Sequence, residues 1–188
     1  MEEKLGQQPT DIIKVVLYGP ESTGKTTLAR QLAAHYNTEW VPEYAREYLQ
    51  QKWDEEQQIC QLTDLLPIAE GQMASENKLA KKANKVLLCD TDLLVTKVYS
   101  EAYFNGYADP LLEKYALKNQ YQLYLLTSID VPWEPDDLRD RPDDRENMLN
   151  LFQTALLKYQ RTFVTLEGNQ EVRFERAVSE INKLLNYD

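Results

Sequence analysis

Ile12-Ile13-Lys14-Val15-Val16-Leu17-Tyr18 runs straight into Gly19-Pro20-Glu21-Ser22-Thr23-Gly24-Lys25-Thr26. The first seven residues are almost unbroken β-branched and apolar, the pattern of a strand covered on both faces in a parallel sheet. The next eight satisfy every specified position of G-x-x-x-x-G-K-[ST]. An amphipathic stretch, Thr27-Leu28-Ala29-Arg30-Gln31-Leu32-Ala33-Ala34, follows at once. Strand, glycine-bearing turn and helix start, in that order, wrap successive backbone N–H groups and a helix N-terminus around negative charge. Gly19, Glu21, Ser22, Thr23, Gly24, Lys25, Thr26 and Thr27 are therefore the expected polyphosphate-binding residues. Lys25 reaches the β and γ oxygens, and Thr26 offers its hydroxyl to Mg²⁺.

Similar short runs recur at 38–41, 85–89, 121–127 and 161–166, each ending in polar or turn residues. Helical periods separate them. Within 54–82, Asp54 and Gln57 resemble a capping box, Ile59, Leu62, Leu66, Ala69 and Met73 keep a three-four spacing, and Pro67 and Gly71 are expected to kink the helix. Asp109-Pro110 reads as an N-cap with proline in the first turn. Leu149, Phe152, Leu156 and Tyr159 stripe one helix, and Phe174, Val178, Ile181 and Leu185 another. Alternation of strand and helix predicts an α/β three-layer sandwich around a five-stranded parallel sheet with right-handed crossovers. One domain over 11–188 is expected, preceded by a flexible tail over 1–10, where no apolar period exists.

The chain has 188 residues and a net charge of −10. That balance argues against a nucleic-acid backbone or an anionic membrane as partner, since both need a positive footprint. Met1-Glu2-Glu3-Lys4 is the reverse of a basic signal-peptide start, and no apolar run approaches the roughly 18 residues of a span, so the expected location is the cytoplasm. Cys60 and Cys89 are too few for a disulfide framework, with Cys89 expected as a buried thiol, and His35 alone builds neither a metal site nor a catalytic triad.

A second signal lies where the phosphate loop needs one. Val86-Leu87-Leu88-Cys89-Asp90 is an apolar strand ending in a carboxylate, which in a parallel sheet faces the Mg²⁺ held by Thr26. Asp90 or Asp92 alternatively caps the following helix. Glu43 falls just past the second strand, at the carboxyl edge where ligands of open α/β folds collect. It either accepts a proton from an acceptor hydroxyl or holds a sugar hydroxyl, and an ion pair with Arg46 is the alternative. Pro132, Pro135 and Pro142 break up 131–145, where Arg139, Arg141 and Arg145 read as a lid placing guanidinium groups on a transferring phosphoryl; internal pairing with the neighbouring aspartates is the other reading. No Asn-Lys pair, at 77, 84 or 182, continues to the Asp of a guanine-reading motif, so ATP is the expected nucleotide. AAA-type motors need a further helical lid domain; small-molecule kinases fit the length better.

Gly-Pro-Glu-Ser-Thr-Gly-Lys-Thr-Thr-Leu-Ala (19–29), Val-Pro-Glu-Tyr-Ala-Arg-Glu-Tyr (41–48), Asp-Thr-Asp (90–92) and Val-Pro-Trp-Glu-Pro-Asp-Asp-Leu-Arg-Asp (131–140) occur in that order. Together they resemble the ribosylnicotinamide kinase domain of NadR-type proteins, a P-loop family with a nucleoside-kinase-like fold, over about residues 11–186. The resemblance implies transfer of phosphate from ATP, with Mg²⁺, to nicotinamide riboside. Lys25, Glu43, Asp90, Arg139 and Arg145 are then the catalytic candidates, Thr26 and Asp90 the metal ligands. Glu43, Tyr44, Arg46, Asp92, Tyr103 and Trp133 are the acceptor-binding candidates. Pro42 stands where better-known members carry a tryptophan that would stack on the pyridinium, leaving Trp40, Tyr44, Tyr103 or Trp133 for that role. A kinase for another nucleoside or nucleoside monophosphate, or a regulatory ATP-binding module without an acceptor, remain alternatives at this level.

Overall fold

The computed structural model describes residues 2–139 and 142–186. Five strands, β1 (Ile13–Tyr18), β2 (Trp40–Val41), β3 (Val86–Asp90), β4 (Leu123–Thr127) and β5 (Phe163–Leu166), form one parallel sheet in the order β2-β3-β1-β4-β5. The predicted three-layer α/β sandwich is thus realised. β1 is central, paired to β3 from Ile13↔Val86 to Leu17↔Asp90 and to β4 from Val15↔Leu123 to Tyr18↔Leu126.

The alternation along β1 explains why its sequence is apolar throughout. Val15 and Leu17 join a core with Leu28, Leu32, Ala177 and Ile181, from helices α1 (Lys25–Tyr36) and α7 (Gln170–Leu185). Val16 and Tyr18 point the other way, into a larger core built with α3 (Leu65–Ala80), α4 (Leu93–Tyr103), α5 (Pro110–Lys118) and α6 (Arg145–Lys158). Tyr18 meets both Tyr124 and Phe152 edge-on, at centroid distances of 5.3 and 5.0 Å. Asp109 caps α5 with Pro110 in its first turn, and Cys89 is a buried free thiol.

Two expectations from sequence need correction. The 54–82 helix is two elements: α2 (Tyr44–Glu56) stops at Gln57 in the left-handed region, and α3 starts beyond a short 3-10 turn. The reciprocal capping box is Gln61 with Asp64, whose carboxylate also takes Lys52 at 2.7 Å. Pro67 lies in the first turn of α3, where a missing N–H is harmless, and the helix runs continuously through Gly71. Residues 2–8 of the expected flexible tail are not loose either. Glu2–Leu5 forms a 3-10 turn that sinks Leu5 to 0% exposure. Gln7 then donates to Glu76 at 2.9 Å, a carboxylate that also receives Lys14 Nζ (2.8 Å) and the Tyr121 hydroxyl (2.7 Å). Strand-borne Lys14 is tolerated inside the fold because this cluster satisfies it. Among the described residues, no helix is long and apolar enough to cross a membrane.

Candidate active site

The turn after β1 is shaped by two glycines. Gly19 has φ +131°, and a side chain there would meet the Thr127 carbonyl at 2.9 Å. Gly24, at φ +83°, starts α1 from the left-handed region. Thr23 ties the turn together, donating to the Pro20 carbonyl at 2.8 Å and sharing a 2.7 Å bond with the Thr127 hydroxyl. Lys25 is folded back under the loop, its Nζ 2.6 Å from the Pro20 carbonyl. Burial lowers its pKa, and Glu43, Asp90 and Glu21 oppose the shift.

Asp90 ends β3 directly beside this helix start. The Thr26 hydroxyl donates to its Oδ2 at 2.5 Å, while Oδ1 is buried without a partner. Burial and the charge of Glu43 push this carboxyl up to about 6, against the pull of Lys25 and Thr26. A buried, half-satisfied carboxylate beside a hydroxyl suits a hard cation with oxygen ligands, so the pair fits Mg²⁺. Glu43 stands at the N-cap of α2, its carbonyl accepting the Arg46 N–H at 3.2 Å. The Arg46 guanidinium is turned to Asp136.

Two cavities meet at these residues. One, of about 790 Å³, follows the loop from Glu21 to Thr27 and includes Asp90, Trp40, Pro42, Arg139 and Arg173. The other, of about 240 Å³, lies between α2, α3 and α4 and is lined by Trp53, Tyr99, Tyr103, Phe104 and Ile68 among others. Glu21, Lys25, Glu43 and Arg46 border both. A polar cavity for an anion and an aromatic one for a flat ring therefore share a wall carrying an ammonium and a carboxylate.

Several candidates are placed elsewhere. Asp92 is 1% exposed, with Oδ1 capping α4 at the Val95 N–H (3.1 Å) and Oδ2 accepting the Tyr124 hydroxyl (2.8 Å). Burial raises its pKa to about 7. Tyr44 lays its ring on Gly71, and Trp133 lines a small hollow that shares Glu21, Tyr99 and Tyr103 with the aromatic cavity. Arg145 is taken up by main-chain carbonyls, Val131 at 3.0 Å and Ser22 at 3.2 Å, and lies against the Trp133 ring. Arg139 does reach the larger cavity, braced by Asp136 at 3.0 Å. Asp137 and Leu138 roof the aromatic cavity, and the Glu134 N–H bonds the Ser22 hydroxyl at 2.9 Å. Arg141 lies outside the described residues.

Arg173, on α7, escaped the sequence reading. It is 4% exposed and donates to the carbonyls of Thr23 (2.8 Å) and Ser128 (3.0 Å), with Asp130 as its ion-pair partner. Its signal was a cation beside Phe174 on the inward face of an apolar-striped helix. Trp53, Tyr99 and Phe104 were also missed. Their i, i+4 spacing with Leu49, Val95 and Ser100 reads as ordinary core until the cavity is seen.

Residues 14–173 match the AAA domain family AAA_28. The chain belongs to this family. The chain is 29% identical over 181 residues to the trifunctional NAD biosynthesis/regulator protein NadR of Salmonella typhimurium, and spans 95% of its own length but 44% of that relative's. Two structures of NadR superpose on this AAA_28 chain. One, in complex with NR, gives a TM-score of 0.79 at 24% identity, covering 92% of this chain and 51% of that one. The other, in complex with NAD and AMP-PNP, gives 0.75 at 23%, covering 92% and 49%. Thymidylate kinase from Ehrlichia chaffeensis superposes at 0.61 and 15% identity, over 94% of this chain and 99% of that one. The fold is that of the P-loop nucleotide kinases.

Proposed function

We propose that this chain is a cytoplasmic, ATP- and Mg²⁺-dependent kinase that phosphorylates the 5′-hydroxyl of nicotinamide riboside, giving nicotinamide mononucleotide and ADP. The observation that carries the reading is the shared wall: a phosphate-loop cavity and an aromatic cavity both end at Lys25 and Glu43. A nucleotide switch has no use for the second cavity.

The chain's residues divide the work by position. Main-chain N–H groups between Glu21 and Thr26, with the start of α1, hold the triphosphate. Thr26 and Asp90 would hold Mg²⁺, which when bound neutralises the β and γ oxygens. Lys25, buried at the junction, lays its ammonium against charge that spreads over the transferring group, where low dielectric makes it effective. Glu43 takes the proton from the acceptor hydroxyl as the new O–P bond forms. Arg139 adds a guanidinium from the nucleotide side, and the segment around Leu138 keeps water from the junction.

The acceptor's nature follows from the smaller cavity's lining. Trp53, Tyr99, Tyr103 and Phe104 bring aromatic rings to it, and Glu21, Glu43 and Asp137 add carboxylates. A pyridinium is drawn to both. Pro42 lines the other cavity, so the aromatic role falls to this set rather than to residue 42. The NadR likeness, with NR in one of its structures, supports the same choice.

A mass-spectrometric assay with ATP, Mg²⁺ and a panel of nucleosides tests the proposal. Nicotinamide mononucleotide and ADP should appear in equal amounts, and Lys25→Ala should abolish both. Product from a non-pyridine nucleoside alone would replace the acceptor, and ADP without any phosphorylated acceptor would remove the kinase reading.

A further inference from the structure

Gln72 is 2% exposed and lines the aromatic cavity. Its Oε1 accepts the Tyr44 N–H at 2.8 Å, which settles the amide's orientation because an N–H can only donate. Nε2 is thereby turned the other way, and it is buried with no hydrogen-bond partner. A buried donor left unsatisfied costs free energy, so a fold that builds one at a cavity wall implies a partner arriving from the cavity.

The backbone is arranged to hold this amide. Gly71 has no Cβ, and the Tyr44 ring occupies the place where one would be, 2.1 Å from its ideal position. That close approach of α2 to α3 is what brings the Tyr44 N–H onto Gln72. Tyr44 directly follows Glu43, which borders both cavities, so the amide is tied to the residue next to their shared wall.

We infer that Gln72 is a specificity-determining contact whose Nε2 donates to a sugar hydroxyl oxygen of the bound nucleoside, beside the hydroxyl that receives phosphate. The inference rests on the kinase reading above and deepens it: the site selects acceptors presenting a lone pair at that point and disfavours deoxy analogues.

The test is to measure KM for acceptor and for ATP in the wild-type protein, Gln72→Glu and Gln72→Met, using nicotinamide riboside, its 2′- and 3′-deoxy analogues, and an analogue lacking the ring carboxamide. Gln72→Glu still offers the Tyr44 N–H an oxygen, so a purely structural role leaves it like wild type. A binding role raises its acceptor KM about 10-fold with the ATP KM unchanged. One deoxy analogue should bind the wild-type protein about 10-fold worse and gain nothing from the native glutamine, behaving alike in wild type and variant. Gln72→Met introduces no buried charge and should lose the same discrimination, so an unstable Gln72→Glu does not leave the matter open. Unchanged acceptor KM in both variants overturns the inference, as does a variant effect that disappears only when the ring carboxamide is removed. Wild-type protein that phosphorylates no nucleoside refutes the kinase reading, and this inference with it; active wild type with indifferent variants refutes the inference alone.

Discussion

Gly71→Ala is expected to destabilise the protein, against the rule for a glycine inside a helix. In an exposed helix the exchange gains about 1 kcal/mol. Here the added methyl carbon would lie 2.1, 2.3 and 2.4 Å from three carbons of the Tyr44 ring, far inside contact distance. The ring must leave α3, and overpacking of this kind costs about 1–3 kcal/mol. Loss of the ring's packed face adds to that, so the net effect is a loss of about 1–2 kcal/mol, roughly 2–8 °C in Tm for a chain of this size. In a Tyr44→Ala background the obstruction is gone, and Gly71→Ala should then stabilise by about 1 kcal/mol. Urea and thermal unfolding of the wild-type protein, the two single variants and the double variant reads the reversal of sign directly. The reasoning is refuted if Gly71→Ala raises stability with Tyr44 in place, or has the same effect in both backgrounds.

Lys14→Met leaves the Glu76 carboxylate buried without its ammonium and should lose about 3–5 kcal/mol in a denaturant titration; a change under about 1 kcal/mol would mean that Gln7 and Tyr121 suffice to hold Glu76. Arg173→Ala strips the guanidinium from the Thr23 and Ser128 carbonyls and should raise the ATP KM by roughly 10-fold or more with acceptor KM little changed, since bonds from charged donors are the strong ones; an unaltered ATP KM contradicts this. Burial pushes the Cys60 thiol up to about 11, so at pH 8 its thiolate fraction is on the order of 100-fold below that of an ordinary cysteine. Iodoacetamide labelling followed by mass spectrometry should be slowed to match; labelling at the free-cysteine rate would contradict the burial.

The fold was legible because its cause is local and repeated. Five apolar runs, each wanting cover on both faces, separated by helical periods, admit few arrangements, and β1 carried its loop chemistry in consecutive residues. The junction was only partly legible. Lys25, Thr26 and Asp90 lie at strand and helix ends whose geometry the sheet dictates. Asp92 lies two residues past the end of β3 and Tyr44 opens α2, but a left-handed Thr91 (φ +72°) and a missing Cβ at Gly71 set their directions. No periodicity encodes either turn. Arg145 reads with Arg139 and Arg141 as a lid cation because it stands among prolines, and the fold instead turns it onto the Val131 and Ser22 carbonyls; Arg173 belongs to no motif, and only the packing of α7 brings it to the Thr23 carbonyl. The N-terminal residues misled for a related reason. One buried leucine, Leu5, and a few amide hydrogen bonds anchor them, and neither has a period to read.

The proposed kinase reaction needs two ligands side by side against Lys25 and Glu43. Calorimetric titration of nicotinamide riboside into protein saturated with AMP-PNP and Mg²⁺ measures this directly. One acceptor should bind per chain without displacing the nucleotide; acceptor that competes with AMP-PNP, or finds no site beside it, would contradict the shared-wall arrangement.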